Sequence, residues 1–153
     1  MSEFVVVDAS VAFKWLVEEE HSDRATALTR LWDDQGTRLA APPLLPFEVA
    51  NALHRRVVRG ELSVEVAGEL MQDLTSVGIA LHETSNLHSR ALELAVQLNQ
   101  GAVYDAHYLA LAESLGCDLW TADQRFYRAA RAGADTVHWI GEFNAPQDGM
   151  RER

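Results

Sequence analysis

The 153-residue sequence is short of cysteine, of lysine and of long apolar runs. Its one cysteine, Cys117, excludes an intrachain disulfide and a zinc site built on cysteines. Lys14 is the only lysine; every other basic residue is an arginine, and 13 basic against 23 acidic residues give a net charge of -10. That shortage of positive charge argues against a general nucleic-acid coat or an anionic-membrane binder, both of which depend on a basic surface. It leaves room for an enzyme that grips phosphates with a few local arginines and a metal held by carboxylates. No apolar stretch approaches the roughly 18 residues of a membrane span. The first residues, MSEFVVVDAS, carry neither a basic segment nor a cleavage pattern, so no membrane association is expected and the expected compartment is the cytoplasm. None of the six histidines falls in an H-x-x-x-H pattern.

What is present is a chain of ordinary single-domain size, with 48% hydrophobic and 24% charged residues. Strand-like and helix-like pieces alternate. Short β-branched or apolar runs at 3–7, 38–41, 79–81, 118–121 and 136–140 read as strands. Helical spacing of apolar residues recurs at 9–18, 22–32, 46–59, 85–98, 104–115 and 123–132, and Ser63 is placed to cap a further helix. The alternation predicts an α/β fold, a mostly parallel sheet of four or five strands with helices on both faces. The domain is expected to cover 1–143, with a polar, frayed tail over 144–153.

Four carboxylates are placed where such a sheet builds its sites. Asp8 ends the first strand, and Asp123 lies just beyond the fourth. Glu48 and Asp105 fall at the starts of two helices. Open α/β sheets bind ligands in the crevice outside the carboxyl ends of their strands. Oxygen ligands there suit Mg²⁺ or Mn²⁺, which can activate water and neutralise charge in phosphodiester hydrolysis. Each acid also has a plainer reading. Asp8 and Asp123 could be helix N-caps, and Glu48 and Asp105 could be first-turn acids favoured by the helix dipole. The surroundings of Glu48 (LLPFEVANAL) and Asp105 (AVYDAHYLALA) are apolar, where an unpaired charge is costly.

Three neighbours could support the acids. Ser10 could cap a helix or hold a water. Asn51 lies three residues after Glu48. Thr121 lies two residues before Asp123, so a strand points both the same way. Arg125, Arg128 and Arg131 could contact phosphates or form a solvated helix face, and the arginines at 55, 56 and 59 could do the same but read more simply as helix-end cations. His107 falls on the other side of its helix from Asp105 and reads as packing. Cys117 reads as a small apolar residue, and the four tryptophans as core or interface anchors.

Taken in order, Asp8 with Ser10, Glu48-Val49-Ala50-Asn51-Ala52-Leu53, the Tyr104-to-Ala112 run around Asp105, and Thr121-Ala122-Asp123-Gln124-Arg125-Phe126 resemble the PIN domain, in particular the VapC toxins of bacterial toxin–antitoxin pairs. The resemblance spans about residues 5–140. It implies a Mg²⁺- or Mn²⁺-dependent endoribonuclease that hydrolyses RNA with a metal-activated water. It maps the acidic quartet onto Asp8, Glu48, Asp105 and Asp123, with Ser10, Asn51 and Thr121 in support. It also implies a VapB-type antitoxin partner and a homodimer. Two other readings compete. A receiver-type phosphoacceptor would need a lysine late in the chain, and the only one is Lys14. A non-catalytic interaction module would keep the acids only as caps.

Overall fold

A computed structural model describes residues 2–144. The five strands are β1 (Phe4–Val7), β2 (Arg38–Ala41), β3 (Ala80–Leu81), β4 (Leu119–Thr121) and β5 (Val137–Trp139). They form one fully parallel sheet in the order β3-β2-β1-β4-β5. Parallel strands need crossovers, and helices supply them. Between β1 and β2 run α1 (Ala9–Leu16) and α2 (Ser22–Gln35). Helices α3 (Leu45–Val58) and α4 (Val64–Val77) lead to β3, α5 (Leu87–Gln97) and α6 (Tyr104–Leu115) to β4, and α7 (Gln124–Arg131) to β5.

The strand order fixes the layers. From β1 the chain steps outward to β2 and β3, then crosses back to β4 and β5. Right-handed crossovers in opposite directions put their helices on opposite faces. Helices α1–α4 accordingly pack on one another, and α5 packs on α6 against the other face. The reversal between β1 and β4 opens the crevice where α/β sheets bind ligands. No helix among the described residues is long and apolar enough to cross a membrane.

The expected α/β architecture is present, and the differences lie at element ends. The first helix stops at Leu16 rather than 18, because Val17 turns extended (φ -124°, ψ 127°). The second runs on past Trp32 to Gln35 and ends where Gly36 takes a left-handed conformation (φ 70°), which glycine adopts at little cost. The last strand ends at Trp139, and Ile140–Glu142 is a short 3₁₀ turn. The polar tail expected over 144–153 lies, Asn144 aside, outside the described residues.

The core is continuous. Val5, Val6 and Val7 of the central strand are buried between the helix layers, with Val11, Leu28, Leu53, Tyr108, Leu111, Phe126 and Ile140 around them. Cys117 packs here too, and burial pushes its thiol up to about 11.

Candidate active site

The carboxyl ends of β1 and β4 are adjacent, since Val7 pairs with Trp120. This brings the turns after the two strands together. Asp8 is the N-cap of α1: its Oδ1 accepts from the Val11 N–H at 3.2 Å and from the Ser10 hydroxyl at 2.5 Å. Asp123 is the N-cap of α7: its Oδ1 accepts from the N–H groups of Arg125 and Phe126 at 3.0 and 3.2 Å. The capping reading of both is therefore right, and it is not exclusive. In each case the cap uses Oδ1, and both residues also line one crevice.

That crevice has a volume of about 410 Å³ and is lined by all four carboxylates. Pro42 and Pro43 stop β2, and Pro46 sits in the first turn of α3, where a missing N–H is tolerated. The turn places Glu48 half-buried, and its Oε1 accepts from the Tyr108 hydroxyl at 2.6 Å. Asp105 enters from the first turn of α6. Neither caps its helix: the N-cap positions are Leu44 and Val103, which have no side-chain cap bond.

The acids perturb one another. Burial pushes the Asp8 carboxyl up to about 7; bonds from the Ser10 hydroxyl and the Val11 N–H pull it down, and the Asp105 charge pushes it further up. Burial also raises Glu48, the Tyr108 bond opposes this, and the Asp105 charge adds to it. Asp105 is raised by burial and then by the Asp123 charge. Tyr108 is pushed far up, first by burial and then by Glu48, so its phenol stays a proton donor. Asp105 is half-buried, and among the described residues it has no hydrogen-bond or ion-pair partner. A buried charge among like charges with no partner is costly.

The supporting residues divide. Ser10 lines the crevice; it accepts from the Ala122 N–H at 2.8 Å while donating to Asp8, and so ties the two turns together. Thr121 is fully buried beneath the site, where its Oγ1 accepts from the Asp123 N–H at 3.0 Å and lies 3.4 Å from the Ser10 hydroxyl. Asn51 is exposed and outside the lining, because the stripe of α3 that faces the crevice runs Glu48, Ala52, Arg55. Arg125 and Arg128 are exposed on α7 and also stand outside the lining. His107 is buried away from the acids, bonded to His88 and to the Val103 carbonyl. Lys14, Glu19, Arg55 and Tyr108 line the crevice without having been picked out as site residues from the sequence. Tyr108 follows Asp105 by three residues, a spacing that puts both on one face of α6.

Among the described residues, no three His, Cys, Asp or Glu side chains are gathered so as to hold a metal by themselves. The oxygen-only donor set nevertheless fits a hard cation. Mg²⁺ usually takes one or two protein carboxylates and completes its shell with waters and substrate phosphates. The unpartnered Asp105 and the high Asp8 carboxyl are what a cation at this place would relieve.

Residues 5–132 match the family described as PIN domain. The chain is 30% identical over 128 residues to Ribonuclease VapC9 of Mycobacterium tuberculosis, covering 84% of this chain and 92% of that one. It is 34% identical over 122 residues to Ribonuclease VapC3 of Pyrobaculum aerophilum, covering 79% and 90%. Among solved structures it is similar to PAE2754 from Pyrobaculum aerophilum, with a TM-score of 0.67, 23% identity and coverage of 92% and 93%. It is also similar to M. tuberculosis VapC20, described as a sarcin-ricin loop cleaving toxin, with a TM-score of 0.62, 20% identity and coverage of 88% and 98%.

Proposed function

The chain belongs to the PIN-domain family, and from that premise we propose that it is a divalent-metal-dependent endoribonuclease, the toxin of a VapBC-type pair. The observation that carries the reading is Asp105. Capping accounts for Asp8 and Asp123, and Tyr108 binds Glu48, but nothing among the described residues accounts for a half-buried Asp105 that has no partner there and lines one crevice with three other carboxylates. A non-catalytic module would have no use for that arrangement. A receiver-type reading is disfavoured as well, since Lys14 is on α1 and paired with Glu19 at 2.9 Å.

Asp8, Glu48, Asp105 and Asp123 would hold Mg²⁺ or Mn²⁺ directly or through water. A cation bound there supplies water activation and neutralises charge on the phosphodiester. The chain supplies the rest. Ser10 fixes Asp8, and Tyr108 keeps its proton and fixes Glu48. Thr121 holds the turn that carries Asp123.

An acidic crevice also suits a basic antitoxin segment that folds on binding. A VapB-type partner and a homodimer belong to the same proposal. Phe47 and Tyr104, 78% and 60% exposed beside Glu48 and Asp105, offer a second copy apolar surface. The test is cleavage of single-stranded RNA in Mg²⁺ or Mn²⁺ and its loss in excess EDTA. Cleavage that survives the chelator would overturn the metal-dependent reading.

A further inference from the structure

Arg55 and Arg56 are neighbours on α3 with opposite fates. Arg56 is half-buried and fully engaged. Its Nη2 binds Glu19 Oε2 at 2.8 Å, its Nη1 binds Glu61 Oε2 at 3.0 Å, and its guanidinium lies 5.4 Å from the centre of the Phe13 ring. Lys14 binds the other oxygen of Glu19 at 2.9 Å. Glu19 thus holds two cations in place at the edge of the crevice and leaves neither of them free. Arg55 is exposed and lines the same crevice, yet among the described residues it enters no ion pair and no side-chain hydrogen bond. Among the described residues it is the one unengaged cation in the lining, beside five carboxylates: Asp8, Glu19, Glu48, Asp105 and Asp123.

A polyanion can approach such a surface only where local positive charge meets it. On the assumption that the proposed ribonuclease reading holds, we propose that Arg55 is the RNA-backbone anchor of the crevice and binds a phosphate that flanks the scissile one. Glu48 and Arg55 are seven residues apart on one face of α3, about 10.5 Å along the helix axis, so Arg55 stands two turns from Glu48 along the crevice. The planar guanidinium suits two-point binding of phosphate oxygens. Glu19 contributes indirectly: by tying up Lys14 and Arg56 it keeps them from competing for the strand or for the carboxylates.

The test uses the full chain with Mn²⁺ and two readouts. One is steady-state cleavage of a single-stranded RNA. The other is fluorescence anisotropy of a labelled, uncleavable 2′-O-methyl RNA across a salt series. Arg55→Gln should raise KM about tenfold with kcat little changed, and should lower the slope of log Kd against log salt by about 0.7, the value for one lost contact to a single strand. Arg55→Lys, which keeps the charge, should restore the slope. Arg59→Gln, an exposed change at the C-cap of the same helix and outside the crevice lining, should behave as the parent. Parent-like KM and slope for Arg55→Gln, or an equal effect of Arg59→Gln, would overturn the anchor. If the parent itself cleaves nothing, the ribonuclease reading fails, while the anisotropy series still decides on Arg55. Unchanged RNA binding together with weakened capture of a co-expressed antitoxin would assign Arg55 to the protein partner instead and end the proposal.

Discussion

The Tyr108 hydroxyl donates to Glu48 Oε1 at 2.6 Å and ties α6 to α3 across positions sixty apart in sequence. The bond has a chemical consequence, because it favours the charged form of a carboxyl that burial and the Asp105 charge push the other way. Tyr108→Phe removes it and keeps the buried ring. The acid limb of the pH–rate profile should then move to higher pH, and kcat/KM at pH 7 should fall about tenfold, while the melting temperature changes little for a bond to a half-exposed acid. A profile that superimposes on the parent's would show that Glu48 is not the group titrating in that limb.

Much of this site was legible in the sequence, and the limits have physical causes. Periodicity carries strand and helix identity, and an acid just past a strand end can be read directly, which is how Asp8 and Asp123 stand out. That both cap a helix and also line one crevice cannot be read, because which oxygen faces the cap depends on local geometry. On α3 the sequence offered Asn51, three residues on, as the neighbour of Glu48. The helix turns 100° per residue, so the stripe of Glu48 continues through Ala52 and Arg55, and Asn51 rotates toward solvent. The Lys14–Glu19–Arg56 cluster depends on α1 packing against α3, a tertiary contact that no local pattern encodes. The smallest strand, β3, has two residues and a weak signature, yet its pairing with β2 completes the sheet.

Asp8 sets a pH dependence of stability in metal-free protein. Its carboxyl moves from 3.8 to about 7 on folding, chiefly through burial. Between those values the folded chain holds a proton that the unfolded chain has released, so this group's contribution is complete below the lower value and is lost as pH rises through the upper one. Glu48 and Asp105, also raised, act in the same direction. Melting temperatures measured in EDTA should therefore decline from about pH 4 to pH 7, and Asp8→Asn should flatten that decline, with an effect at pH 7 on the order of a few kcal/mol. Asparagine still caps α1, so the comparison isolates the charge. Parallel curves for parent and variant would show that the burial of Asp8 is relieved by another route.

Asp105 is the residue on which the catalytic and structural readings part most sharply. Its charge raises Asp8 and Glu48, and Asp123 raises it in turn, so it stands between the other acids electrostatically. Asp105→Asn keeps the shape and removes that repulsion, so the metal-free variant should be as stable as the parent or slightly more so. Cleavage should fall by two to three orders of magnitude, roughly 3–4 kcal/mol of lost transition-state stabilisation. A ligand that binds only the folded state stabilises it by RT ln(1 + [L]/Kd), about 2.7 kcal/mol at a hundredfold excess over Kd. Mn²⁺ should therefore raise the melting temperature of the parent more than that of the variant. The two measurements guard each other. A loss of cleavage with an unchanged Mn²⁺ shift would leave Asp105 in the chemistry but remove it from the metal. Equal shifts together with full cleavage would take Asp105 out of the site and, with it, the observation on which the ribonuclease reading rests.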